Sequence, residues 1–356
     1  MLFEIKCIPT PGTVVKRARH APVISVIVPA FNCGKYIGDA LTSLANQTIS
    51  DIEFIVVDDG STDDTAIVAD GFADRDSRIQ VIRRDKASGK PACARNVGLR
   101  VARGEYIALL DADDIATPDR LASSIEALRK SGARFAFADY RKLYEDTGLA
   151  EQFGVLESAH FLERAAPYLT RTDDNVYLCS RNFPAFLLTY IAVHTPTIVF
   201  KRELLDEVDL WFDESIACFE DVDFWFRLAN RTQFVFIKED HALYRRHSAS
   251  LTASNPLRTK IDGITVRKEH LKRLRSALTH DETAAARKTI ADLLWDVSYT
   301  NWCNGHLAKA RAGFLDSWLT VPSIRSAIGF LKAFIRRDVA VSLVTTTDIV
   351  EKPEFA

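Results

Sequence analysis

Four apolar, largely β-branched runs, separated by segments with helical character, constrain this chain more than any other feature. Ile24-Ser-Val-Ile-Val28 stops at Pro29, Ile52 to Val57 runs into Asp58-Asp59-Gly60, and Tyr106 to Leu110 runs into Asp111-Ala-Asp113; Ile79 to Ile82 is the fourth. Between the first two, Ile37, Leu41 and Leu44 repeat at i, i+4 and i+7, the stripe of an amphipathic helix. Ala66, Ala69 and Phe72 mark a second helix, and Ala92 to Ala102 a third. Strand and helix alternating at this spacing predict βαβ units, hence a mostly parallel sheet flanked by helices. Ligands of such sheets bind outside the carboxyl ends of the strands. Asn32, Asp58-Asp59 and Asp111 to Asp113 therefore converge on one cleft.

Downstream, Thr117-Pro118 reads as an N-cap and first helical position for a helix through Leu121, Ile125 and Leu128. Phe135 to Tyr140, Thr197 to Phe200 and residues 233–245 read as further strands, whereas 145–195 carry no clear period. From Pro256 onward the pattern is helical and charged, with helices over Ala285–Trp295, Leu307–Leu319 and Ser323–Ile335. The expected organisation is a flexible lead-in over 1–22, rich in proline, an α/β domain over 23–255 and a helical region over 256–356.

A net charge of -2 argues against bulk nucleic-acid binding, which needs a basic surface. Cys7, Cys33, Cys93, Cys179, Cys218 and Cys303 are scattered without a C-x-x-C pair, so reduced thiols are expected rather than a zinc site or disulfide framework. Lys6, Lys16, Arg17 and Arg19 precede no apolar h-region, and no stretch reaches the roughly 18 apolar residues of a membrane span. The expectation is a cytoplasmic protein, or one at the inner face of the membrane: Ile328 to Arg337 mixes apolar and basic residues as a membrane-surface helix does.

Two acidic pairs carry the chemistry. In an extended segment alternate side chains share a face, so Asp111 and Asp113 point the same way. Two such carboxylates repel unless a cation sits between them, and Mg2+ or Mn2+ held by one or two carboxylates and substrate phosphates is the expected arrangement. Asp58-Asp59 supplies acceptors for a base N–H or ribose hydroxyls, with Gly60 and Ser61 making the turn.

Val26-Ile-Val-Pro-Ala-Phe-Asn32, Val56-Val-Asp-Asp-Gly-Ser-Thr-Asp63, Ala94-Arg-Asn-Val-Gly98, Gly104 to Asp114 and Glu220-Asp221 together resemble the family 2 glycosyltransferases, over roughly residues 22–250. The resemblance implies a GT-A fold, Rossmann-like, with the helical region as a C-terminal extension. It implies an inverting transfer from a nucleoside-diphosphate sugar, by default a UDP-sugar, to a glycan or lipid-linked acceptor, as in polysaccharide or glycoconjugate synthesis. By the same resemblance Pro29 and Phe31 lie against the base and Asp58 and Asp59 read it. Arg95 pairs with phosphate or with the acidic motif. Asp111 lies near the ribose and sugar, Asp113 holds Mn2+ or Mg2+ on the diphosphate, and Asp114 is a structural neighbour. Asp221, with Glu220 beside it, is the catalytic base. Tyr244-Arg245-Arg246-His247 resembles an R-x-H segment in which Arg245 and His247 approach the diphosphate or the metal. Apart from the resemblance, the irregular stretch 145–195 is expected to line the acceptor side.

Two competing functions are weaker. A sugar-nucleotide nucleotidyltransferase needs a glycine-rich phosphate loop after the first strand, where this chain has Pro29-Ala-Phe-Asn32. A non-catalytic nucleotide-sugar-binding protein has no need of Asp113, Asp221 and His247 together.

Overall fold

A computed structural model describes residues 21–208 and 211–334. Nearly all of the lead-in, and the end of the basic apolar segment at Arg337, lie outside the described residues. The chain forms two compact units. One holds residues up to Leu187 together with Ile191–Ala253, the other Leu188–Tyr190 and residues from Ser254.

The first unit is built on ten strands: β1 (Ile24–Ala30), β2 (Ile52–Asp58), β3 (Ile79–Arg83), β4 (Tyr106–Leu109), β5 (Ile115–Ala116), β6 (Phe135–Tyr144), β7 (Leu169–Asp173), β8 (Val176–Cys179), β9 (Val199–Lys201) and β10 (Phe234–Arg246). Their order is β3-β2-β1-β4-β9-β6-β10-β8-β7, with β5 paired to β10. Strands β3, β2, β1 and β4 run parallel, as do β6 and β10; β9 joins the two groups antiparallel to both neighbours. Every residue of β1 and β2 is buried. Helices cover both faces of the sheet, which is why these strands read as continuous apolar runs rather than alternating ones.

Helices α1 (Ile37–Ala45), α2 (Thr65–Ala73), α3 (Pro91–Val101) and α4 (Arg120–Ser131) follow the strands as the periodicity predicts, and α5 (Glu220–Ala229) precedes β10. A Cβ on Gly98 would lie 2.4 Å from Ile27 Cγ2, so α3 packs directly on β1 and carries Arg95 to the sheet edge.

Three details depart from the sequence reading. Helix α4 starts at Arg120, because Thr117 donates its hydroxyl to Asp240 O on β10 instead of capping. Thr195–Thr197 forms a 3-10 turn before β9, where Pro196 cannot supply a ladder N–H. Within 145–195 lies the antiparallel β7–β8 hairpin. Its outer strand is exposed and polar (Thr170-Arg-Thr-Asp173), so it shows no buried-strand pattern.

The second unit contains α6 (Pro256–Leu274), α7 (His280–Cys303), α8 (Leu307–Thr320) and α9 (Ile324–Lys332). Helix α7 is far longer than Ala285–Trp295. A capping box starts it, with Glu282 N donating to Thr279 Oγ1 and Thr279 N donating to Glu282 Oε2. Among the described residues no helix is long and apolar enough to cross a membrane.

Candidate active site

The acidic turn after β4 closes with Asp114 N donating to Asp111 O at 3.0 Å. Asp114 then points inward and is fully buried. Its Oδ1 accepts Arg245 N at 2.9 Å, and its Oδ2 has no hydrogen-bond partner among the described residues. Burial, reinforced by the charges of Asp113 and Asp111, holds this carboxyl well above the usual carboxylate range. It serves as a post between the turn and β10.

The same strand locates two basic side chains. Strand β5 begins at Ile115, directly after the turn, and pairs Ile115 with Leu243 and Ala116 with Ala242. That short ladder lays the end of β10 beside the acidic motif. His247 Nε2 consequently sits 2.9 Å from Asp113 Oδ2, while its Nδ1 is buried without a partner among the described residues. Arg245 is used by the protein itself. Its Nε donates to Asp113 O at 2.9 Å, its Nη2 to Asp39 Oδ2 at 2.8 Å, and its guanidinium lies over the Tyr36 ring.

Arg95 links the acidic turn to the Glu220-Asp221 segment. Its Nη2 donates to Asp111 Oδ1 at 2.8 Å and its Nη1 to Glu220 Oε1 at 2.5 Å, with Phe212 stacked below the guanidinium. Both Arg95 and Glu220 are buried. Burial pushes the Glu220 carboxyl up to about 7, against the lowering influence of Arg95. Arg95 thus meets the acidic motif, one of the two roles open to it, and Glu220 faces inward as its counterion. Phe219 turns the chain with φ +73°, a left-handed conformation unusual for a bulky residue. Asp221 follows, half-buried; its Oδ1 accepts Val222 N at 2.7 Å and its Oδ2 accepts the Thr195 hydroxyl at 2.8 Å. Asp223, the neighbouring carboxylate, is paired with Arg227 at 2.9 Å.

The third corner joins the ends of β1 and β2. Pro29 is buried within β1, whereas Phe31 projects with 47% of its surface exposed. Asn32 N donates to Ser61 Oγ and Thr62 N to Asn32 Oδ1, both at 2.9 Å, which binds the two loops together. Asp58 accepts Ser61 N. Asp59 is buried against Arg84 and accepts both the N–H and the hydroxyl of Ser88, at 2.9 and 2.6 Å. Gly60, with φ +75°, sits where a Cβ would be 2.7 Å from Ala87 N, so no larger residue fits this loop crossing.

Sequence reasoning missed Thr195, Arg84 and Ser88. None belongs to a motif; each is defined by what the fold brings to it. Among the described residues no group of three or more His, Cys, Asp or Glu side chains is placed to hold a metal unaided.

The Glycosyl transferase family 2 model matches residues 25–183 of this chain. The glycosyltransferase GlyG of Streptococcus pneumoniae is 30% identical over 245 residues, covering 67% of this chain and 74% of GlyG. The chain belongs to the family 2 glycosyltransferases. The glycosyltransferase EpsJ of Bacillus subtilis is 32% identical over 236 residues, 65% of this chain and 63% of EpsJ. Among solved structures, residues 1–349 of S. aureus TarS in complex with UDP-GlcNAc align with a TM-score of 0.59 at 20% identity, over 92% of this chain and 94% of that fragment. The mannosyltransferase PcManGT of Pyrobaculum calidifontis, in complex with GDP-Man and Mn2+, aligns at 0.52 and 18%, over 92% and 82%. These two likenesses establish the shared GT-A fold.

Proposed function

We propose that this glycosyltransferase moves a hexose from a nucleoside-diphosphate sugar, by preference a UDP-sugar, to a hydroxyl of a glycan or lipid-linked acceptor, with inversion. The observation that carries this reading is the Arg95 bridge, which ties Asp111 of the acidic motif to the Glu220-Asp221 turn. Catalysis is assigned to residues 23–255, and 256–356 to a helical extension.

In this reading Phe31 stacks on the base and Pro29 shapes the end of β1 beneath it. Asp58 and Asp59 form the floor. Asp59 already accepts from Arg84 and Ser88, and a base N–H is the further donor that this reading assigns to the Asp58-Asp59 pair. Asp111 lies on the donor-sugar side, fixed by Arg95. Arg245 shapes the diphosphate end by holding Asp113 and Asp114 rather than by reaching phosphate itself.

Asp113 and His247 suit Mn2+ or Mg2+: one carboxylate oxygen and one imidazole nitrogen lie 2.9 Å apart, and the substrate diphosphate supplies further oxygen ligands. The structures of TarS in complex with UDP-GlcNAc and of PcManGT in complex with GDP-Man and Mn2+ support the same donor and cofactor class. When bound, the cation neutralises charge on the departing diphosphate. Asp221 takes the proton from the acceptor hydroxyl as that oxygen forms its bond to the anomeric carbon. Glu220 is buried and acts by positioning Arg95.

The test is Asp221→Asn. It should bind donor normally, by thermal stabilisation against a panel of nucleotide sugars, and lose about 100-fold or more in transfer. Near-normal turnover overturns the assignment.

The second unit supports contact with the inner face of a membrane. Leu315, Trp318 and Leu319 on α8, with Ile324, Ile328, Leu331 and Phe334 on and after α9, are all exposed, Ile324 at 81%. Helix α7 packs on other residues of α8 and α9: the Ser317 hydroxyl donates to Ala291 O and Arg325 lies over Trp295. Lys309, Arg311, Arg325 and Lys332 stand against Asp316, itself paired with Lys268. Exposed apolar residues on helices that also carry an excess of basic residues match an anionic lipid surface.

A further inference from the structure

Thr195 lies outside every sequence motif, yet it touches the carboxylate on which the proposed reaction depends. The residue is 2% exposed. Its hydroxyl donates to Asp221 Oδ2 at 2.8 Å, while Val222 N donates to Asp221 Oδ1 at 2.7 Å. Each carboxylate oxygen thus has one fixed donor, and the plane of the group is set.

The turn that carries Thr195 is itself anchored. Thr197 donates both its N–H (3.0 Å) and its hydroxyl (2.9 Å) to His194 O. Pro196 fixes one backbone angle inside the turn. The His194 ring stacks on Tyr140, with centroids 4.2 Å apart and planes 17° apart. It meets Tyr244 edge-on at 4.6 Å and 72°. Tyr140 comes from β6 and Tyr244 from β10, so the turn rests against two strands of the central sheet. Burial lowers His194 to about 4, which keeps the imidazole neutral at physiological pH and adds no competing cation beside Asp221.

We propose that Thr195 is a positioning residue for Asp221: its hydroxyl, held by the anchored His194–Thr197 turn, aims the carboxylate so that the remaining lone pairs face the acceptor hydroxyl. The inference rests on the reading of Asp221 as the base. A free carboxylate rotates about its Cβ–Cγ bond and offers the acceptor a spread of geometries. One held by two donors offers a single orientation, and proton abstraction depends on that geometry before it depends on basicity.

The test compares Thr195→Val and Thr195→Ser in the full chain. Valine has nearly the shape of threonine and removes only the hydroxyl. With saturating donor and acceptor, Thr195→Val should lower kcat by about 10- to 100-fold, the size expected for loss of one hydrogen bond to a charged group. Its donor KM and thermal midpoint should stay near wild type. Thr195→Ser should restore kcat to within about threefold, since it keeps the donor. Wild-type kcat in Thr195→Val, with Asp221→Asn inactive, overturns the proposal. So does a Thr195→Val defect that includes donor affinity, or one that serine does not rescue, because either outcome marks a merely structural contact. If Asp221→Asn itself retains turnover, the failure belongs to the assignment of the base.

Discussion

Arg95 and Glu220, 125 residues apart in the chain, form a buried ion pair with 2.5 Å between Nη1 and Oε1. The other arm of the guanidinium holds Asp111 at 2.8 Å. The acidic turn and the Glu220-Asp221 turn therefore share one rigid cation. A lysine, with a single ammonium on a flexible stem, cannot reproduce a fork that reaches two carboxylates. The relative placement of the two acidic segments thus depends on Arg95.

That pair gives stability a pH signature. Burial raises Glu220 to about 7 from an ordinary value near 4.5, so the folded state binds its proton more tightly than the unfolded chain does. The resulting stabilisation is fully present below about pH 4.5 and is lost as pH rises through about 7. Urea midpoints measured between pH 5 and 8 should fall with a contribution of at most about 1.4 kcal/mol per pH unit from this group. Glu220→Gln should flatten that part of the slope. An unchanged slope in the variant would assign the pH dependence to other groups, among them the buried Asp114.

His247 and Asp113 meet at 2.9 Å. Replacing His247 by alanine should raise the Mn2+ concentration needed for half-maximal activity, and weaken Mn2+ binding in the presence of UDP by calorimetry, by about 10- to 100-fold. Asp113→Asn should remove metal-dependent transfer altogether. Full activity in excess chelator would show that neither residue acts through a metal.

Phe31, proposed to stack on the base, is 47% exposed. Base–aromatic stacking contributes about 1–3 kcal/mol. Phe31→Ala should therefore raise the donor Kd by roughly fivefold or more while leaving kcat at saturation near wild type. Phe31→Tyr should restore affinity. A normal Kd in the alanine variant would place the base elsewhere.

On the helical unit, Ile324→Glu with Leu331→Glu puts two charges on the exposed strip of α9. Sedimentation with vesicles containing anionic lipid should drop sharply, while neutral vesicles retain little protein in either form. Unchanged melting and donor hydrolysis would confirm that the substitutions act at the surface. Wild-type protein that ignores anionic vesicles would sink the membrane reading.

The parallel half of the sheet was readable because burial on both faces turns its strands into uninterrupted apolar runs. Ile24 to Val28 and Ile52 to Val57 could hardly be anything else. The β7–β8 hairpin was unreadable for the opposite reason: Thr170 to Asp173 lie exposed at the sheet edge and carry no hydrophobic period. Helix α7 was legible only in its middle, since a weakly amphipathic 24-residue helix declares its start through the Thr279–Glu282 capping box more than through its stripe.

By itself the sequence determined the chemistry available. It placed Asp58-Asp59 and Asp111 to Asp113 at strand ends, and set Glu220-Asp221 before a buried aromatic helix, because local composition and period are enough to assign those places. Tertiary structure decided which of these groups meet one another and which are committed to bracing the fold. The two-residue pairing of β5 with β10 brings His247 to Asp113 and turns Arg245 into a brace. Packing of α3 on β1 through Gly98 buries Arg95 between two acidic segments. The Thr195 turn reaches Asp221 across 26 residues of chain. Such relationships depend on distances between elements far apart in sequence, and no local pattern encodes them.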